Sequence, residues 1–376
     1  MLPFINFKVR ILKISKIEAY KVSIKLKGTF RIALGEIFTS EGYIVRIETN
    51  DGLVGYGEAS PSKAILGDDM DLAFKTLREV AEQIRGINPI NYERWRRILR
   101  NSKGSSSAKA AIEIALFDII GKHYSSPLYR LFGGAKDKIE TDYTIGIKDP
   151  ETAAKEAYEL VREGYRILKV KLGETKETDI ERVKAIREVV GSKIRIRVDA
   201  NQGWDFETAK EVIKEIYKYD VELVEQPLKA HDLKGLAKLR KASPIPIMLD
   251  ESVHTAEDAV YAIKIGAADV INIKLMKAQG ITEAIRIAHI AESEGIPCMV
   301  GCMVETEIGI LAGIHLACGL ANIKYADLDA DLYNTEHIVA VKSLEVPYRI
   351  PPSRPGLGFE EENLNRRLMR KVLEVK

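Results

Sequence analysis

Eight short apolar segments recur along the later part of the chain at intervals of roughly 25 residues, and amphipathic helical stretches separate them. In order, the segments are ETDYTIGI, RILKVKLG, KIRIRVDAN, VELVEQP, IPIMLDES, DVINIKLMK, CMVGCMVE and IKYADLD. This alternation is typical of parallel strands joined by helices. A doubly wound open sheet would alternate in the same way, but no glycine-rich dinucleotide loop follows any segment. The pattern therefore predicts an α/β fold built on a parallel (β/α)7β-type barrel.

The first part of the chain has a different pattern. Residues 15–60 are strand-like around an NDG hairpin signal, whereas 70–132 show helical periodicity, notably in SAKAAIEIALFDI. Strands followed by helices predict an α+β capping domain at 1–138. The barrel with the active site then occupies 139–350. We expect the segment 351–376, with a basic helix, to return to the capping domain and complete it.

The composition argues against several partners and locations. The 376 residues include 57 Lys and Arg against 55 Asp and Glu, and a net charge of +2 gives no reason to expect nucleic acid or a membrane surface. Lys8 and Arg10 interrupt the apolar start MLPFINFKVRILK, so we expect neither a signal peptide nor a membrane span there. Cys298, Cys302 and Cys318 cannot form a disulfide framework, which favours a cytoplasmic location. Abundant Lys, Glu and Ile lean toward a thermophilic source.

The segment RILKVKLG carries two lysines inside a strand-like run. Lys169 and Lys171 alternate with Leu168, Val170 and Leu172, so both lysines point to one face of the predicted strand. A half-solvated strand is the common explanation of such alternation. The alternative is that two ammonium groups are held inside the barrel.

Three acidic residues follow three neighbouring strands at matched spacing. Asp199 and Glu225 are 26 positions apart, and Glu225 and Asp250 are 25 apart, which is one strand–helix unit each time. They therefore lie at one level of adjacent strands, at the carboxyl end where barrel chemistry is placed. A single acidic residue there is explained by a helix N-cap, but three converging carboxylates repel one another unless a cation lies among them. Oxygen ligands of this kind favour Mg²⁺.

A further lysine, Lys274, ends the sixth strand. Strands two and six lie opposite each other in a ring of eight, so Lys171 and Lys274 would flank a bound substrate from two faces. Burial, a neighbouring ammonium such as Lys169 and a divalent cation all favour the neutral amine that general-base work requires. One lysine can remove the α-proton of a metal-bound carboxylate to give an enediolate, and the other can return a proton to the opposite face.

The order of KVK, DAN, VEQP, DES and NIK, after the helix SAKAAIEIALFDI, resembles the enolase superfamily. The likeness extends from about residue 15 to Gly358 and is greatest to the muconate-lactonising-enzyme subgroup. Within that subgroup, the DLD sequence of Asp327 and Asp329, the segment NIKLMKAQG and the TDYT around Thr144 are most similar to dipeptide epimerases of the L-Ala-D/L-Glu epimerase type.

This resemblance implies a Mg²⁺-dependent isomerase that epimerises a dipeptide at the α-carbon of its C-terminal residue. Lys171 and Lys274 would be the acid–base catalysts, and Lys169 would contact the substrate carboxylate and tune Lys171. The implied Mg²⁺ ligands are Asp199, Glu225 and Asp250. The implied substrate-binding residues are Thr144, Lys169, Cys302, Asp327 and Asp329. We also expect a homo-oligomer.

Other functions remain open on this scaffold: an N-acylamino-acid racemase, an o-succinylbenzoate synthase or a muconate-type cycloisomerase. Their substrates lack a free ammonium group and would have less use for Asp327 and Asp329, whose carboxylates suit one. A helix N-cap would explain either aspartate structurally. A barrel that binds metabolites without catalysis is the remaining alternative, which the intact lysines and carboxylates oppose.

The sequence leaves the preferred dipeptide open, because it depends on the loops 27–39 and 60–70 that we expect to cover the site. Epimerases of Ala-Glu carry an arginine after an Ala-Leu pair, where this chain has Gly35. Arg31 or Lys27 would have to replace that cation. A hydrophobic or cationic C-terminal residue is therefore as consistent with the loops as an acidic one. The acidic residues in or near these loops are Glu36, Asp68 and Asp69.

Overall fold

The structure is a computed structural model that describes residues 12–376. The expectation that the apolar start of the chain is neither a signal peptide nor a membrane span falls on residues 1–11, outside this part. Between residues 12 and 376, no helix is long and apolar enough to cross a membrane.

An antiparallel sheet with helices packed against it forms the capping domain. Strands β1 and β2 pair over most of their length, and the predicted NDG turn joins β2 to β3, where the Thr49 N–H donates to the Leu53 carbonyl at 2.9 Å. The elements are β1 (Ile14–Ile32), β2 (Gly35–Thr49), β3 (Val54–Ala59), α1 (Met70–Ile84), α2 (Tyr92–Asn101), α3 (Ser106–His123) and α4 (Leu128–Leu131).

Two glycines let strand β3 lie directly on helix α3. A Cβ added at Gly57 would lie 1.9 Å from the carbonyl oxygen of Ala111, and one at Gly55 would lie 2.1 Å from that of Ala115. No side chain fits at these distances, so glycine is required where the two backbones meet. This contact fixes the helix that carries SAKAAIEIALFDI against the sheet.

We predict that Gly57→Ala lowers the free energy of unfolding by about 1–3 kcal/mol, because the added methyl group forces the helix away from the sheet. Gly28→Ala is the matched control, since a Cβ at Gly28 meets no atom within 4 Å. Urea unfolding followed by circular dichroism measures both variants. Equal losses in the two variants would contradict the close contact.

Eight parallel strands form the second sheet in chain order, and a helix follows each of the first seven. A short strand, β4 (Ile139–Glu140), leads into them. Each strand lies within one of the eight predicted segments, so the barrel is confirmed and the doubly wound sheet is wrong. The elements are β5 (Tyr143–Ile145), α5 (Pro150–Glu163), β6 (Ile167–Lys171), α6 (Lys176–Val190), β7 (Arg195–Asp199), α7 (Phe206–Ile216), β8 (Val221–Glu225), α8 (Leu233–Ala242), β9 (Ile247–Leu249), α9 (Ala256–Lys264), β10 (Val270–Lys274), α10 (Ile281–Ser293), β11 (Cys298–Gly301), α11 (Glu307–Gly319) and β12 (Ile323–Asp327).

Hydrogen bonds beside β5 and β12 connect the two ends of this sheet. The Asp142 N–H donates to the Ala326 carbonyl at 3.3 Å, and the Leu328 N–H donates to Thr141 Oγ1 at 3.0 Å. These bonds bring the first and last strands together without a regular ladder. The ring is therefore nearly closed, and the carboxyl ends of all eight strands surround one region.

The C-terminal segment adds a fourth strand to the capping sheet. Two short strands before this segment, β13 (Leu344–Glu345) and β14 (Tyr348–Arg349), form a small sheet with β4, and the strand of the segment itself is β15 (Arg370–Val375). Because β15 pairs with β1, completion of the capping domain by this segment is confirmed, whereas the expected basic helix is wrong. Strand β15 pairs with the backbone groups at the edge of β1, and its side chains Val372, Leu373 and Val375 pack against the capping core. The domain boundaries chosen from the sequence stay predictions.

His315 in α11 joins the barrel to α4 and to the C-terminal segment. The Tyr129 N–H donates to His315 Nδ1 at 3.2 Å, and Nε2 lies 3.2 Å from the Leu357 carbonyl, to which its N–H donates. The neutral ring thus uses both of its nitrogens. Burial lowers the pKa of His315 to about 4.

We predict that this histidine makes stability fall as the pH drops from about 6.5 to about 4. The unfolded chain takes up a proton near pH 6.5, but the folded ring resists protonation until about 4. The stabilisation by the neutral His315 ring is complete above about pH 6.5. Its loss at low pH decreases the free energy of unfolding by about 3 kcal/mol. His315→Gln should flatten this part of the profile in urea unfolding at several pH values. A variant as pH-sensitive as the parent would contradict the assignment.

Candidate active site

Strand β6 is buried on both faces. Only 1% of Lys169 and 6% of Lys171 is exposed, and Leu168 and Val170 are fully buried. The half-solvated explanation of RILKVKLG is therefore wrong. Both lysines are held inside the molecule, where their ammonium groups meet carboxylates.

Parallel pairing places the predicted metal-binding carboxylates side by side. Lys171 lies beside Asp199 in the register of the sheet, and Asp199 lies beside Glu225. Asp250 follows directly after β9, and all three carboxylates are fully buried. The matched spacing thus places Asp199 and Glu225 at one level, and Asp250 lies two residues beyond Met248, the register partner of Glu225, at the carboxyl end of the barrel.

Ammonium groups lie among these carboxylates. Lys171 Nζ is 2.7 Å from Asp199 Oδ2. Lys169 Nζ reaches three carboxylate oxygens, at 3.1, 2.7 and 2.7 Å, which belong to Asp199, Glu225 and Asp327. Burial alone would lower the pKa of Lys169, but the carboxylates, Asp327 first, outweigh it and hold that pKa well above its ordinary value.

The chemistry of the carboxylate set fits a divalent cation. Burial raises the pKa of Glu225 to about 7, and repulsion from Asp199 and Asp250 adds to the effect. Glu225 Oε2 and both carboxylate oxygens of Asp250 are buried without a hydrogen bond of good geometry, although ammonium groups lie at ion-pair distance. Buried oxygen ligands with such a charge imbalance are what Mg²⁺ prefers.

Lys274 lies across the ring at the end of β10. Its Nζ is 2.8 Å from Asp250 Oδ2. Burial would lower the pKa of Lys274, but the carboxylate of Asp250 outweighs it and keeps the pKa above its ordinary value. Strand β10 is four strands from β6 in the ring, so Lys171 and Lys274 approach the centre from opposite sides.

Asp327 ends β12 and Asp329 lies two residues later. The other predicted substrate-binding residues contact this pair. Thr144 donates its N–H to Asp329 Oδ2 at 2.6 Å and its hydroxyl to Asp327 Oδ1 at 3.3 Å, and Cys302 Sγ is 3.9 Å from Asp329 Oδ1. Asp329 precedes a short 3-10 turn, Ala330–Tyr333, without a side-chain capping bond, so the N-cap explanation is wrong for Asp329. Burial and then repulsion from Asp327 raise the pKa of Asp329 to about 6, whereas Asp327 has the ammonium of Lys169 at 2.7 Å.

The acidic residues of the site form two clusters, one at Asp327 and Asp329 and one at the carboxylates predicted to bind Mg²⁺, and the distances between their ligand atoms differ. In the described part of the chain, the acidic and sulfur ligand atoms that lie within 4.8 Å of one another belong to Cys302, Asp327 and Asp329. The carboxylates predicted to bind Mg²⁺ are spaced more widely, and the ammonium of Lys169 lies between two of them.

A cavity of about 330 Å³ separates these groups from the capping domain. Its barrel wall includes Thr144, Lys171, Asn201, Lys274, Cys302, Asp327, Asp329 and Tyr333. Its capping wall includes the apolar side chains of Leu26, Phe30, Ile32, Leu34, Ile37 and Ile65 and the charged side chains of Glu36, Glu41 and Lys63. The two walls differ in chemistry, since the barrel supplies the reactive groups and the capping domain mainly supplies apolar surface.

The segment 27–39 covers the cavity as the end of a β-hairpin, so the expected loop is wrong. Strand β1 continues to Ile32 and β2 begins at Gly35, which leaves a two-residue turn. Gly35 has φ +142°, a conformation that side chains rarely adopt. The arginine of Ala-Glu epimerases therefore has no unstrained place at this position.

The cations expected to replace that arginine are engaged outside the cavity. Arg31 Nη2 is 2.9 Å from Glu174 Oε1, and Lys27 Nζ donates to the Leu332 carbonyl at 2.8 Å. Neither side chain belongs to the cavity wall. The question that the sequence left open is thus answered, since neither Arg31 nor Lys27 takes the place of that arginine in the cavity wall.

Of the acidic residues near these segments, Glu36 lines the cavity, while the other two stabilise the capping domain. Asp68 accepts hydrogen bonds from Ser62 N at 3.1 Å and from Ser107 Oγ at 3.0 Å. Asp69 is the N-cap of α1. Asp68 and Asp69 are therefore structural residues.

Three polar residues join the site without a clear signal in the sequence. Asn201 Oδ1 accepts from Lys171 Nζ at 3.0 Å, and Tyr333 donates its hydroxyl to Asp329 Oδ2 at 2.7 Å. Lys277 is almost completely buried, and its Nζ is 2.6 Å from Asp250 Oδ1. Asn201 lies inside the DAN motif and Lys277 inside NIKLMKAQG, which are usable hints, whereas Tyr333 lies in a turn without periodicity.

The fold and site define a barrel enzyme with two opposed buried lysines and carboxylates suited to a divalent cation. Residues 152–363 match the family model described as enolase C-terminal domain-like, and residues 15–133 match that of the mandelate racemase / muconate lactonizing enzyme N-terminal domain. The chain belongs to this family, and the resemblance predicted from its motifs is confirmed.

Known relatives are epimerases and racemases. The chain is 46% identical over 321 residues to a hydrophobic dipeptide epimerase of Enterococcus faecalis, with 85% of this chain and 91% of that protein covered. It is 36% identical over 353 residues to an N-succinyl-L-Arg/Lys racemase of Bacillus cereus, with coverage of 93% and 95%. The crystal structure of a dipeptide epimerase from E. faecalis with Mg and L-Leu-L-Tyr has a TM-score of 0.90 and 44% identity, covering 92% of this chain and 99% of that one. The chain is accordingly an isomerase of the racemase and epimerase type.

Proposed function

We propose that this chain is a Mg²⁺-dependent dipeptide epimerase that exchanges a proton at the α-carbon of the C-terminal residue. The observation that carries the proposal is that one cavity holds the opposed lysines Lys171 and Lys274 together with the carboxylates of Asp327 and Asp329. The lysines supply acid–base chemistry on two faces of the substrate. The aspartates supply counter-charge for the free ammonium group of a dipeptide.

Lys171 and Lys274 act on opposite faces of the α-carbon. The neutral amine of one lysine removes the α-proton and leaves the substrate as an enediolate. The ammonium group of the other lysine delivers a proton to the opposite face, which gives the epimer. The two lysines exchange protonation states in the reaction, so the reverse reaction uses them in exchanged roles.

Asp199, Glu225 and Asp250 would hold Mg²⁺ through their buried oxygens. The ion, when bound, supplies positive charge next to the substrate carboxylate as the α-proton leaves. The resemblance assigns Lys169 to that carboxylate as well. Its ammonium faces Asp199, Glu225 and Asp327, so this assignment stays a prediction.

We infer that the C-terminal residue of the preferred dipeptide is apolar. With the ammonium group at the aspartates and the α-carbon between the lysines, the remaining side chain meets the capping wall, which is mainly aliphatic and aromatic. Lys63 is the cation of that wall among the described residues, and Glu36 and Glu41 share the wall. An acidic side chain would find no excess of positive charge there, and the relative named for hydrophobic dipeptides supports the same preference.

An N-acylamino-acid racemase is the second candidate function, because a relative named N-succinyl-L-Arg/Lys racemase shares the scaffold. Such a substrate has an uncharged amide where a dipeptide has its ammonium group. The buried carboxylates of Asp327 and Asp329 would then lack a cationic partner from the substrate, which costs free energy. The aspartate pair therefore favours the dipeptide.

We predict that incubation with a dipeptide library in D₂O and Mg²⁺ places deuterium at the α-carbon of the C-terminal residue. Dipeptides that end in a large apolar residue should exchange faster than L-Ala-L-Glu, for the reasons given above. Mass spectrometry and proton NMR measure the exchange, and removal of Mg²⁺ with EDTA should abolish it. N-succinyl amino acids serve as the comparison substrates.

Exchange of N-succinyl amino acids without exchange of any dipeptide would contradict the proposed activity and favour the racemase. Preference for L-Ala-L-Glu would leave the epimerase intact and contradict the apolar preference alone. Exchange that persists in EDTA would contradict the Mg²⁺ requirement.

We predict that Lys171→Ala and Lys274→Ala each block epimerisation but affect exchange in complementary ways. Each variant keeps a single base, so it should exchange the α-proton of one epimer and lose exchange of the other. NMR of both purified epimers in D₂O measures the four rates. Normal exchange of both epimers by either variant would contradict the two-base scheme.

A further inference from the structure

We infer that Lys277, which carries no proposed catalytic role, is a positioning residue that holds Asp250 for metal binding; the inference rests on the proposed function. Lys277 is 1% exposed, which makes it one of the most deeply buried charged residues in the described chain. An ammonium group is costly to bury, so the partners that surround this one reveal its purpose.

The ammonium group of Lys277 is fully surrounded by oxygen atoms. It donates to the carbonyls of Val253 at 3.0 Å and Asn272 at 3.1 Å and to the carbonyl of Asp250. An ammonium has three N–H donors, and these three carbonyls use them. The side chain Oδ1 of Asp250, 2.6 Å from Nζ, therefore interacts with Lys277 through charge and lacks a hydrogen bond of its own.

The two oxygens of Asp250 face two different lysines. Lys277 lies next to Oδ1, and the proposed catalyst Lys274 lies 2.8 Å from Oδ2. Three carbonyls fix Lys277 in place, so it can hold Oδ1 while Oδ2 remains directed toward the centre of the barrel.

The same ammonium also supports a second proposed ligand. Lys277 binds the carbonyl of Asn272, whose side-chain Nδ2 donates to Glu225 Oε1 at 2.7 Å. Lys277 thus ties the end of β9 to β10, and through Asn272 it reaches β8. Groups that orient metal ligands in this way control metal affinity.

Fold stability alone does not explain the lysine. A buried ion pair can usually be replaced by apolar side chains of similar volume without loss of stability, because its desolvation offsets its attraction. Lys109 shows what a purely structural lysine does in the same region. It is also buried, and it donates to Gln279 Oε1 at 3.1 Å in the turn after β10 without touching a proposed metal ligand.

We predict that Lys277→Met weakens Mg²⁺ binding by about 10- to 100-fold. Isothermal titration calorimetry of the full chain, freed of metal with EDTA, measures the dissociation constant of Mg²⁺ itself. Lys109→Met is the matched control, since it removes a buried lysine of helix α3 that donates to the turn after β10, and it should lower the melting temperature without changing Mg²⁺ affinity. Circular dichroism verifies that each variant is folded.

Lys277→Gln keeps the test decisive if the methionine variant does not fold. Its amide can still donate to the carbonyls but carries no charge for Asp250, so Mg²⁺ affinity should fall here too. Parent-like or tighter Mg²⁺ binding by a folded Lys277 variant, while the parent epimerises dipeptides, would overturn the inference and leave the proposed function intact. A parent chain without saturable Mg²⁺ binding would overturn both.

Discussion

Mutual compensation of buried charges is the constraint on which the rest of this molecule depends. Three carboxylates at the ends of adjacent strands and two at the end of the last strand are buried. In this buried site, the negative charges repel one another. Lys169, Lys171, Lys274 and Lys277 enter the same region and bring the opposing charge. Such an arrangement is costly to assemble and persists only if the strands hold it in register. The barrel provides that register, because neighbouring parallel strands place Lys171, Asp199 and Glu225 at one level.

The capping domain uses buried polar side chains to attach itself to the carboxyl end of the barrel. Glu58 of β3 accepts hydrogen bonds from the N–H groups of Thr306 at 2.7 Å and Gly309 at 2.8 Å at the start of α11. Glu113 of α3 accepts from the Thr282 N–H at 3.3 Å at the start of α10. Carboxylates at helix N-termini are favourable partners, and both helices follow strands that line the site. The motif SAKAAIEIALFDI thus attaches the capping domain to the barrel. This role explains why the motif lies far from the lysines and carboxylates of the site.

Most of the barrel and its charged residues could be predicted, because the signals are local. Each strand has its own apolar segment, and equal spacing along the chain becomes equal height in a parallel sheet. The failures concern features set by partners distant in sequence. The last segment forms β15 because the edge of β1 is available, and the hairpin end at Gly35 replaces a predicted loop because β1 and β2 stay paired up to it. The contacts of Lys277 could not be predicted although it lies in NIKLMKAQG, because three of its partners are backbone carbonyls, which any sequence supplies.

Chemistry and specificity are carried by different parts of the fold. The lysines and carboxylates lie on barrel strands or directly after them, whereas the apolar surface that we propose meets a substrate side chain comes largely from the tip of the β1–β2 hairpin. That tip is not free to adapt: the Ile147 N–H donates to the Arg31 carbonyl at 2.8 Å, and the Arg31 side chain pairs with Glu174 in the loop after Lys171. Arg31 thus anchors the hairpin tip to the loop after Lys171, which leaves Lys63 as the cation of the capping wall among the described residues. Since a side chain is also strained at Gly35, a change toward acidic dipeptides would require the hairpin tip to be rebuilt, not one residue exchanged.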